Sequence, residues 1–511
     1  MQDALALFES GQLDVAADAC RAALTRDLDD AAALHLLGRI LLRQGNAAEA
    51  VPMLATAAEH CADASLLNEL GEALHAIGLH HEAEARFRAA LAVQPDAITP
   101  AYNLALLWLQ RDDADAALPL LQTVVARQPD FPEAWLSLGN IFLNRDNIID
   151  ADTCFRSAIA ARPDFVEALS NLGNALVAQH RLEEAARCYD TALTLRPDNP
   201  GTEFAHALGL LLGGNLADGW RHFEARRRYD PLRWNYDRRP ELPQWQPGDS
   251  LTGKRVLLLA EQGGGDVIQF ARYATVVAEH AAEVVLEVPH GMRGLFSHLP
   301  GVARVVAWDE PVPDCDIAVP LLSLPLCCGT GLESIPAAVP YAEAPPERLA
   351  QWQTWLRPLR GRRIGLVCSG RPGHPLDRQR SIPLARLAPI LAAPDCAFVL
   401  LQPELRAPDQ AALADFPSAC WPGAWLRDYA DTAALLQCVE LLITVDTSVA
   451  HLAGALGRPV WLMLPFAPDF RWLLGRGDSP WYPTMRLYRQ PARGDWDSVI
   501  AAVRRELDDL R

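Results

Sequence analysis

The chain has 511 residues, half of them hydrophobic, and a formal net charge of −18 at pH 7. This length predicts several domains with sizeable cores, and the negative charge argues against a nucleic-acid partner, whose phosphates would be repelled. No stretch approaches the roughly 18 to 20 apolar residues that span a bilayer.

The cysteines and the N-terminus both favour a cytoplasmic protein. Eleven cysteines form no C-x-x-C pair, so reduced thiols are expected and structural zinc is not. The first residues enter a helical pattern directly, without a basic and apolar leader.

A period of about 34 residues runs from the N-terminus to residue 227. Small residues recur at Gly38, Gly71, Ala105, Gly139, Gly173 and Ala207, and Pro-Asp pairs at Pro95, Pro129, Pro163 and Pro197. Small residues let two helices approach closely, and Pro-Asp ends one helix and caps the next. The pattern resembles the tetratricopeptide repeat, whose helix pairs bury their apolar faces by stacking. We expect a degenerate first repeat, five full ones, and a last one (Thr202–Arg227) that docks onto the chain that follows.

Residues 228–250 are rich in Pro, Arg and Trp, Trp234 among them, and are predicted to form an ordered connector. Beyond it, strand-like runs alternate with helical patterns, which predicts parallel sheets. The predicted strands are Val256–Ala260, Val284–Val288, Val302–Ala307, Asp316–Val319, Ile364–Cys368, Ala397–Leu401, Leu441–Val445 and Pro459–Leu464. The predicted helices are Val267–His280, Glu347–Leu356, Leu384–Leu391, Thr432–Cys438, Val449–Leu456 and Trp496–Leu510. The last helix is expected to pack back across the lobes.

Two such series predict two Rossmann-like lobes that face each other across a cleft. The predicted domains are therefore a repeat superhelix (1–227), a connector (228–250), an N-terminal lobe (251–348) and a C-terminal lobe (349–511).

The turn Glu261–Asp266 follows the first predicted strand of the α/β region. Its glycines, Gly264 and Gly265 among them, allow the backbone to approach a ligand, and the helix that follows favours negative charge at its N-terminus. Neither the G-x-G-x-x-G fingerprint nor a phosphate-binding Lys is present. Asp266 is therefore either a helix cap or a base that faces the cleft.

A second motif begins where a predicted strand ends in Asp446 and hydroxyl residues open a helix of small residues. The amides and hydroxyls of Thr447 and Ser448 are suited to hold a diphosphate, with the helix dipole in support. His451 lies one turn into the helix, where its ring either reaches ribose or phosphate or packs in the core.

A third group follows two further predicted strands. Ser369 closes one strand, and Arg378 and Arg380 come soon after it, where they either neutralise phosphate by forked hydrogen bonds or belong to a solvated loop. Gln402 and Glu404 end the next strand and are candidates to touch ribose or base. Asp314-Cys315-Asp316 spells the D-x-D of metal-using glycosyltransferases but opens an apolar run, and the histidines show no metal-ligand spacing, so no metal is expected.

Three strings together resemble the heptosyltransferase-type branch of the GT-B glycosyltransferases, in particular bacterial proteins that join such a domain to tetratricopeptide repeats. They are G-G-D-V at 264–267, R-S-I-P at 380–383 and D-T-S-V-A-H-L-A-G-A-L-G at 446–457. Further marks of the family are the stretches 270–273 and 464–472. The resemblance implies two Rossmann lobes, with the N-terminal lobe (251–348) on the acceptor side and the nucleotide-sugar donor held mainly by the C-terminal lobe (349–511). It also implies a reaction without metal or other cofactor.

In this resemblance Asp266 matches the family's base and Arg380 a basic residue at the donor phosphate. Thr447, Ser448 and His451 match the phosphate-binding turn, although Ser448 replaces the usual Gly. The residues after Val267 also differ from the heptosyltransferase pattern, so heptose and lipopolysaccharide are not implied.

The repeats carry asparagines near their small residues: Asn103 and Asn171 two positions before, Asn140 and Asn174 one after. Such amides either bind the backbone of a peptide or line a solvated groove. A solenoid joined to a transferase suggests a protein acceptor modified on Ser or Thr, and flagellin with a nonulosonic acid is one candidate pair. The alternatives are a lipid-linked or polysaccharide acceptor, or a scaffold without catalysis.

Overall fold

The computed structural model of the protein describes residues 2–61, 63–229, 239–373 and 376–510. Trp234 and much of the predicted connector lie outside the described residues. The chain forms two compact units, Met1–Ala175 and Leu176–Arg511. The domain boundaries proposed from the sequence remain predictions.

The first unit consists of helices that pack in sequential pairs, such as α3 on α4, α5 on α6 and α9 on α10. The helices are α1 Gln2–Glu9, α2 Leu13–Leu24, α3 Ala31–Arg43, α4 Ala47–His60, α5 Ala64–Ala76, α6 His80–Val93, α7 Ile98–Leu109, α8 Ala114–Arg127, α9 Pro132–Asn144, α10 Ile148–Ala161 and α11 Val166–Ala178, whose last residues belong to the second unit. Close packing explains the repeated small residues, because a Cβ at Gly71 would lie 2.5 Å from the ring of Phe87, and one at Gly139 would lie 2.4 Å from Phe155.

The second unit begins with three more repeat helices: α12 Leu182–Leu195, α13 Pro200–Leu212 and α14 Leu216–Phe223. Its strands are β1 Arg255–Leu259, β2 Glu283–Val288, β3 Arg304–Ala307, β4 Ile317–Pro320, β5 Arg362–Val367, β6 Cys396–Leu400, β7 Ala419–Cys420, β8 Leu441–Val445, β9 Val460–Leu464 and β10 Met485–Arg489. Its other helices are α15 Gly264–Phe270, α16 Tyr273–Ala278, α17 Leu324–Cys327, α18 Pro346–Leu356, α19 Asp377–Arg380, α20 Ala388–Leu391, α21 Ala407–Ala412, α22 Tyr429–Gln437, α23 Ser448–Ala455 and α24 Trp496–Asp509.

The strands form two sheets in which every named pair is parallel, as the alternating pattern predicts. The N-terminal sheet has the order β3-β2-β1-β4, and the C-terminal sheet has the order β10-β9-β8-β5-β6-β7. Both orders reverse direction beside their first strand, as in doubly wound folds. The predicted fold class, a helical repeat superhelix followed by an α/β region with two Rossmann-like lobes, is confirmed.

The last repeat docks onto the α/β region, as predicted. Trp220 of α14 is fully buried and meets the rings of Phe270, Phe470 and Trp481 edge-on, with centroids 5.8 to 6.4 Å apart across this group. A buried ion pair adds to the joint, because Arg226 Nη2 donates to Glu261 Oε1 at 2.8 Å. Glu261 is thereby engaged in structure and lies outside the lining of the cavity described below.

Three expectations for the α/β region were wrong in detail. The predicted helix Val267–His280 is two helices, α15 and α16, separated at residues 271 and 272, where the Arg272 side chain donates to the carbonyl of Gln269 at 2.9 Å. The edge strands β7 and β10 were missed, since β7 is two residues long and arginines interrupt the apolar run of β10. Helix α24 packs on the C-terminal sheet and α20 rather than across the lobes.

Within the described ranges, every helix is too short or too polar to cross a membrane.

Candidate functional site

A cavity of about 610 Å³ opens where β5 and β8 end, between the two lobes of the second unit. These strands are neighbours in the sheet, and their connections run to opposite sides, which makes this edge the topological switch point of the C-terminal lobe. Open α/β sheets bind ligands in the crevice at such a point, outside the carboxyl ends of the strands. The fold therefore places this cavity where doubly wound sheets bind ligands.

The cavity brings together residues that are far apart in the sequence. The predicted site residues that line it are Gly264, Gly265, Asp266, Ser369, Arg380, Gln402, Glu404, Asp446, Thr447, Ser448 and His451. Arg378 is exposed and does not line the cavity, whereas Arg371 and Gln379 of the same loop do. The short helix α19 thus directs one of the two predicted arginines into the cleft and the other to solvent.

Two hydrogen-bond donors at the C-terminal side of the cavity have no partner in the described part of the protein. They are Arg380 Nε and Thr447 Oγ1, and both atoms are buried. Arg380 Nη1 donates to the carbonyl of Asp446 at 2.9 Å, which fixes the guanidinium beside the start of α23. A Cβ at Gly370 would lie 2.7 Å from Arg380 Nη2, so glycine is required for this approach. Both donors belong to residues that line the same cavity, where they are suited to acceptor atoms of a ligand.

Asp266 performs the capping role and also faces the cleft. Its Oδ2 accepts from the amide of Gly263 at 2.9 Å, which caps α15, and its Oδ1 forms an ion pair with Arg471 Nη2 from the C-terminal lobe. Burial raises the pKa of Asp266, and Arg471 opposes that shift. The carboxylate is therefore positioned by both lobes, and the two readings of Asp266 are compatible.

Burial shifts the pKa values of two further groups at the cavity, Asp446 and His451. Burial, together with the nearby Asp469 carboxylate, raises the pKa of Asp446 to about 6. Burial also lowers the pKa of His451 well below its usual value, with Arg471 as the next cause, so the ring is neutral at pH 7. His451 Nδ1 lies 3.0 Å from the hydroxyl of Tyr482, and the ring stacks on Trp472. His451 is thus a packed residue that also lines the cavity.

The two glycines of the N-terminal turn have a structural reason different from the one predicted. A Cβ at Gly264 would lie 2.2 Å from the hydroxyl oxygen of Tyr429, and one at Gly265 would lie 3.0 Å from the ring of His451. Both neighbours belong to the C-terminal lobe, to α22 and α23. The glycines therefore allow the lobes to meet closely, in addition to lining the cavity.

The other residues predicted to bind the nucleotide-sugar differ in how their side chains are held. The Gln402 amide donates to Ser369 Oγ at 2.9 Å, which ties the ends of β5 and β6 together. Glu404 is exposed at the rim of the cavity. Ser448 Oγ accepts from the hydroxyl of Tyr429 at 3.1 Å.

Sequence reasoning missed Arg471, Asp469, Tyr429 and Gln269 as site residues. The stretch 464–472 was noted as a mark of the family, and it contains Arg471 and Asp469, but no periodicity or spacing assigns them a partner. Only the fold brings Arg471 into contact with Asp266, 205 positions earlier in the chain, and Asp469 into contact with Arg471 in turn.

In the first unit, the predicted acceptor-binding asparagines form amide contacts between successive repeats. Asn103 Nδ2 donates to Asn68 Oδ1 at 3.0 Å and to Glu72 Oε1 at 2.8 Å, and Asn171 Nδ2 donates to Asn140 Oδ1 at 2.7 Å. Asn174 is half-buried on the same helix as Asn171. These contacts use part of the donor capacity that was expected to face a peptide, while amide oxygens such as that of Asn103 remain as acceptors.

Across the described ranges, no three or more His, Cys, Asp or Glu side chains are grouped to hold a metal ion.

Models of the tetratricopeptide repeat family match residues 2–66, 74–141 and 166–199. The chain is also similar to Protein FlbA of Caulobacter vibrioides, with 27% identity over 337 residues, which cover 60% of this chain and 55% of FlbA. The chain thus spans about half the length of that relative.

Among solved structures, the chain is similar to YrrB, described as a TPR protein with an unusual peptide-binding site, with 22% identity, 37% of this chain and 98% of YrrB covered, and a TM-score of 0.33. It is also similar to MamA from Desulfovibrio magneticus RS-1, with 24% identity, 33% of this chain and 96% of MamA covered, and a TM-score of 0.31. The N-terminal helices of the protein are, by the family models and their 34-residue packing alike, tetratricopeptide repeats.

Proposed function

We propose that the protein is a glycosyltransferase that transfers a sugar from a nucleotide-sugar donor to a hydroxyl of a protein acceptor bound by the repeats. The observation that carries the proposal is the pair of buried, unpartnered donors, Arg380 Nε and Thr447 Oγ1, at the switch point of a doubly wound sheet. This combination fits a diphosphate better than a neutral ligand, because a guanidinium and a helix N-terminus both favour anions.

The N-terminal amides of α23 would add to this anion site. Thr447 precedes the helix, and its hydroxyl caps no backbone amide within it. Thr447 Oγ1 and the first amides of α23 are therefore available to phosphate oxygens. Because Nδ1 of the neutral His451 is paired with the Tyr482 hydroxyl, Nε2 is the ring nitrogen left to contact a ligand.

The base in this proposal is Asp266, in agreement with the family resemblance. It accepts the proton of the acceptor hydroxyl while that oxygen forms a bond to the anomeric carbon and the bond from this carbon to the phosphate oxygen breaks. The negative charge that develops on the leaving nucleoside diphosphate meets Arg380 and the start of α23. The raised pKa of Asp266 makes its carboxylate a stronger base than an exposed aspartate would be.

The acceptor is proposed to be a polypeptide because stacked repeats offer an extended binding surface. The amide contacts that involve Asn103, Asn140 and Asn171 leave oxygens able to accept from peptide amides without reading side chains. Flagellin is the first acceptor to test. Deletion of the repeats with a free-sugar acceptor as a second substrate separates a protein acceptor from a saccharide one.

The first experiment is a binding screen with UDP-, GDP-, ADP-, dTDP- and CMP-sugars by calorimetry, followed by turnover of the donor that binds. Asp266→Asn is expected to leave the donor affinity within a few-fold and to reduce turnover by roughly 10²- to 10⁴-fold. Unchanged turnover would remove Asp266 from the role of base. No heat with any nucleotide-sugar would end the transferase proposal and favour a scaffold.

A further inference from the structure

Arg471 connects the two lobes at the site of the proposed base. It lies after β9 in the C-terminal lobe, in a short 3-10 segment, and its side chain is nine-tenths buried. Its Nη2 pairs with Asp266, and its Nε donates to Gln269 Oε1 at 2.7 Å. Asp266 and Gln269 are three residues apart on α15 and so share one face of that helix. One guanidinium therefore holds α15 at two points, one near its start and one near its end.

The opposite side of the guanidinium is tied to its own lobe. Arg471 Nη1 donates to Asp469 Oδ1 at 2.8 Å, and the backbone amide of Arg471 donates to the same oxygen at 3.0 Å. The guanidinium also lies over the ring of Phe470, with 4.3 Å to its centroid. These contacts fix the plane of the guanidinium, and with it the direction from which Nη2 approaches Asp266.

We infer that Arg471 is a positioning residue that holds Asp266 across the cleft in the orientation needed to accept a proton. The inference rests on the proposed function and deepens it, since it states how the base is assembled from two lobes. Asp266 Oδ2 is held by Gly263 and Oδ1 by Arg471, so rotation of the carboxylate is prevented at both oxygens. An ionised carboxylate has about four acceptor positions, so about two remain and one of them can take the proton of the acceptor hydroxyl.

The fork geometry requires arginine. A guanidinium presents several N–H groups in a rigid plane, whereas the lysine ammonium is a point charge on a flexible stem. Lysine at position 471 would keep the positive charge near Asp266 but would not satisfy Asp266, Gln269 and Asp469 together. Charge and geometry can therefore be separated by substitution.

The charge balance at Asp266 involves every element around it. The groups are Asp469 beside Arg471, Asp446 directly after β8, Tyr429 of α22, His451 of α23 and Arg380 of α19. Burial raises the pKa of Asp266, and among the causes that lower it the ion pair with Arg471 comes first. Loss of Arg471 therefore raises the pKa further, the carboxylate forms only at higher pH, and the acidic limb of the rate profile moves upward.

The test compares Arg471→Gln and Arg471→Lys in the full chain, with Arg458→Gln as the matched control. Arg458 belongs to the same lobe, does not line the cavity and donates to the carbonyl of Val439. The kcat and KM for the donor are measured from pH 5 to 9. In Arg471→Gln the acidic limb of kcat is expected to move up by about 1 to 3 pH units, the usual effect of an opposite charge at this distance. In Arg471→Lys the limb stays near its original pH while kcat falls, and Arg458→Gln resembles the unmodified chain.

Hydrogen exchange provides a readout that does not depend on turnover. Amides of residues 264–271 are expected to exchange faster in Arg471→Gln than in Arg458→Gln, because α15 loses both of its contacts to the guanidinium. An acidic limb at unchanged pH, or unchanged exchange of this segment in a folded Arg471→Gln protein, would overturn the inference. If the unmodified chain turns over no donor while the exchange result holds, the proposed function fails and the structural role of Arg471 stands.

Discussion

The sharpest prediction concerns two arginines that lie two positions apart on α19. Both were candidates for a phosphate contact, but the structure places Arg380 in the cavity and Arg378 at the surface. We expect Arg380→Gln to weaken nucleotide-sugar binding strongly and Arg378→Gln to leave it almost unchanged. The two variants remove the same charge from the same short helix, so they differ only in where the guanidinium lies.

The magnitude follows from the hydrogen bonds that Arg380 can make. Nη1 is engaged by the carbonyl of Asp446 at 2.9 Å, and Nε is buried without a partner among the described residues. We therefore expect Nε to donate to a phosphate oxygen of the bound donor. A hydrogen bond to a charged group contributes about 1.5 to 3 kcal/mol. At about 1.4 kcal/mol per factor of ten, loss of this bond raises the dissociation constant roughly 10- to 150-fold. Arg378→Gln changes only a screened surface charge, which predicts less than about a twofold change at 0.15 M salt.

The assay is isothermal calorimetry of both variants and the unmodified chain with the donor that binds best, at one salt concentration. Thermal unfolding checks that Arg380→Gln remains folded, because it also loses the bond to Asp446. Equal losses for the two variants, or a larger loss for Arg378→Gln, would refute the assignment of the phosphate site.

Three further predictions concern the joint between the lobes, the last repeat and the effect of pH. Gly264→Ala places a Cβ 2.2 Å from the Tyr429 hydroxyl, so we expect it to lower the free energy of unfolding by about 1 to 3 kcal/mol. Adding Tyr429→Phe to this variant should restore part of the midpoint of thermal unfolding, and a lack of rescue would exclude this clash as the cause. Trp220→Ala should lower the free energy of unfolding by about 3 to 5 kcal/mol, as for other buried large aromatics. Denaturant unfolding followed by near-ultraviolet circular dichroism should show this loss in the α/β region. A midpoint shift as small as that of a surface variant would contradict the docking role of α14. Asp446, with a pKa of about 6, is neutral below that pH and repels phosphate above it, so the affinity for the donor should fall as the pH rises through 6. Asp446→Asn should flatten this pH dependence. An unchanged slope in that variant would assign the titration to another group.

Several parts of the protein were predictable because their causes are local. The 34-residue period arises because the two helices of each repeat must pack closely on each other, as the contact of Phe87 with Gly71 illustrates. The strand-like runs predicted two parallel sheets, because strands that alternate with helices need crossover connections. Ser369, Asp446 and Thr447 end or directly follow predicted strands, and the carboxyl ends of such strands are where open α/β sheets bind ligands.

The partner of the proposed base could not be predicted, since it depends on how the lobes meet. Asp266 and Arg471 are separated by 205 positions, and no local pattern connects a residue of α15 with one beyond β9. The same holds for the glycines at 264 and 265, whose neighbours Tyr429 and His451 come from the other lobe.

The sequence by itself determined the repeats, the two parallel sheets and the edge of the sheet at which the cavity opens, because period, alternation and strand ends are properties of neighbouring residues. Only the tertiary structure decided which arginine of α19 enters the cavity, that Glu261 is engaged by Arg226, and that Asp266 is held from the opposite lobe. Those outcomes depend on side-chain direction and on contacts across the cleft, which arise only when distant segments pack together.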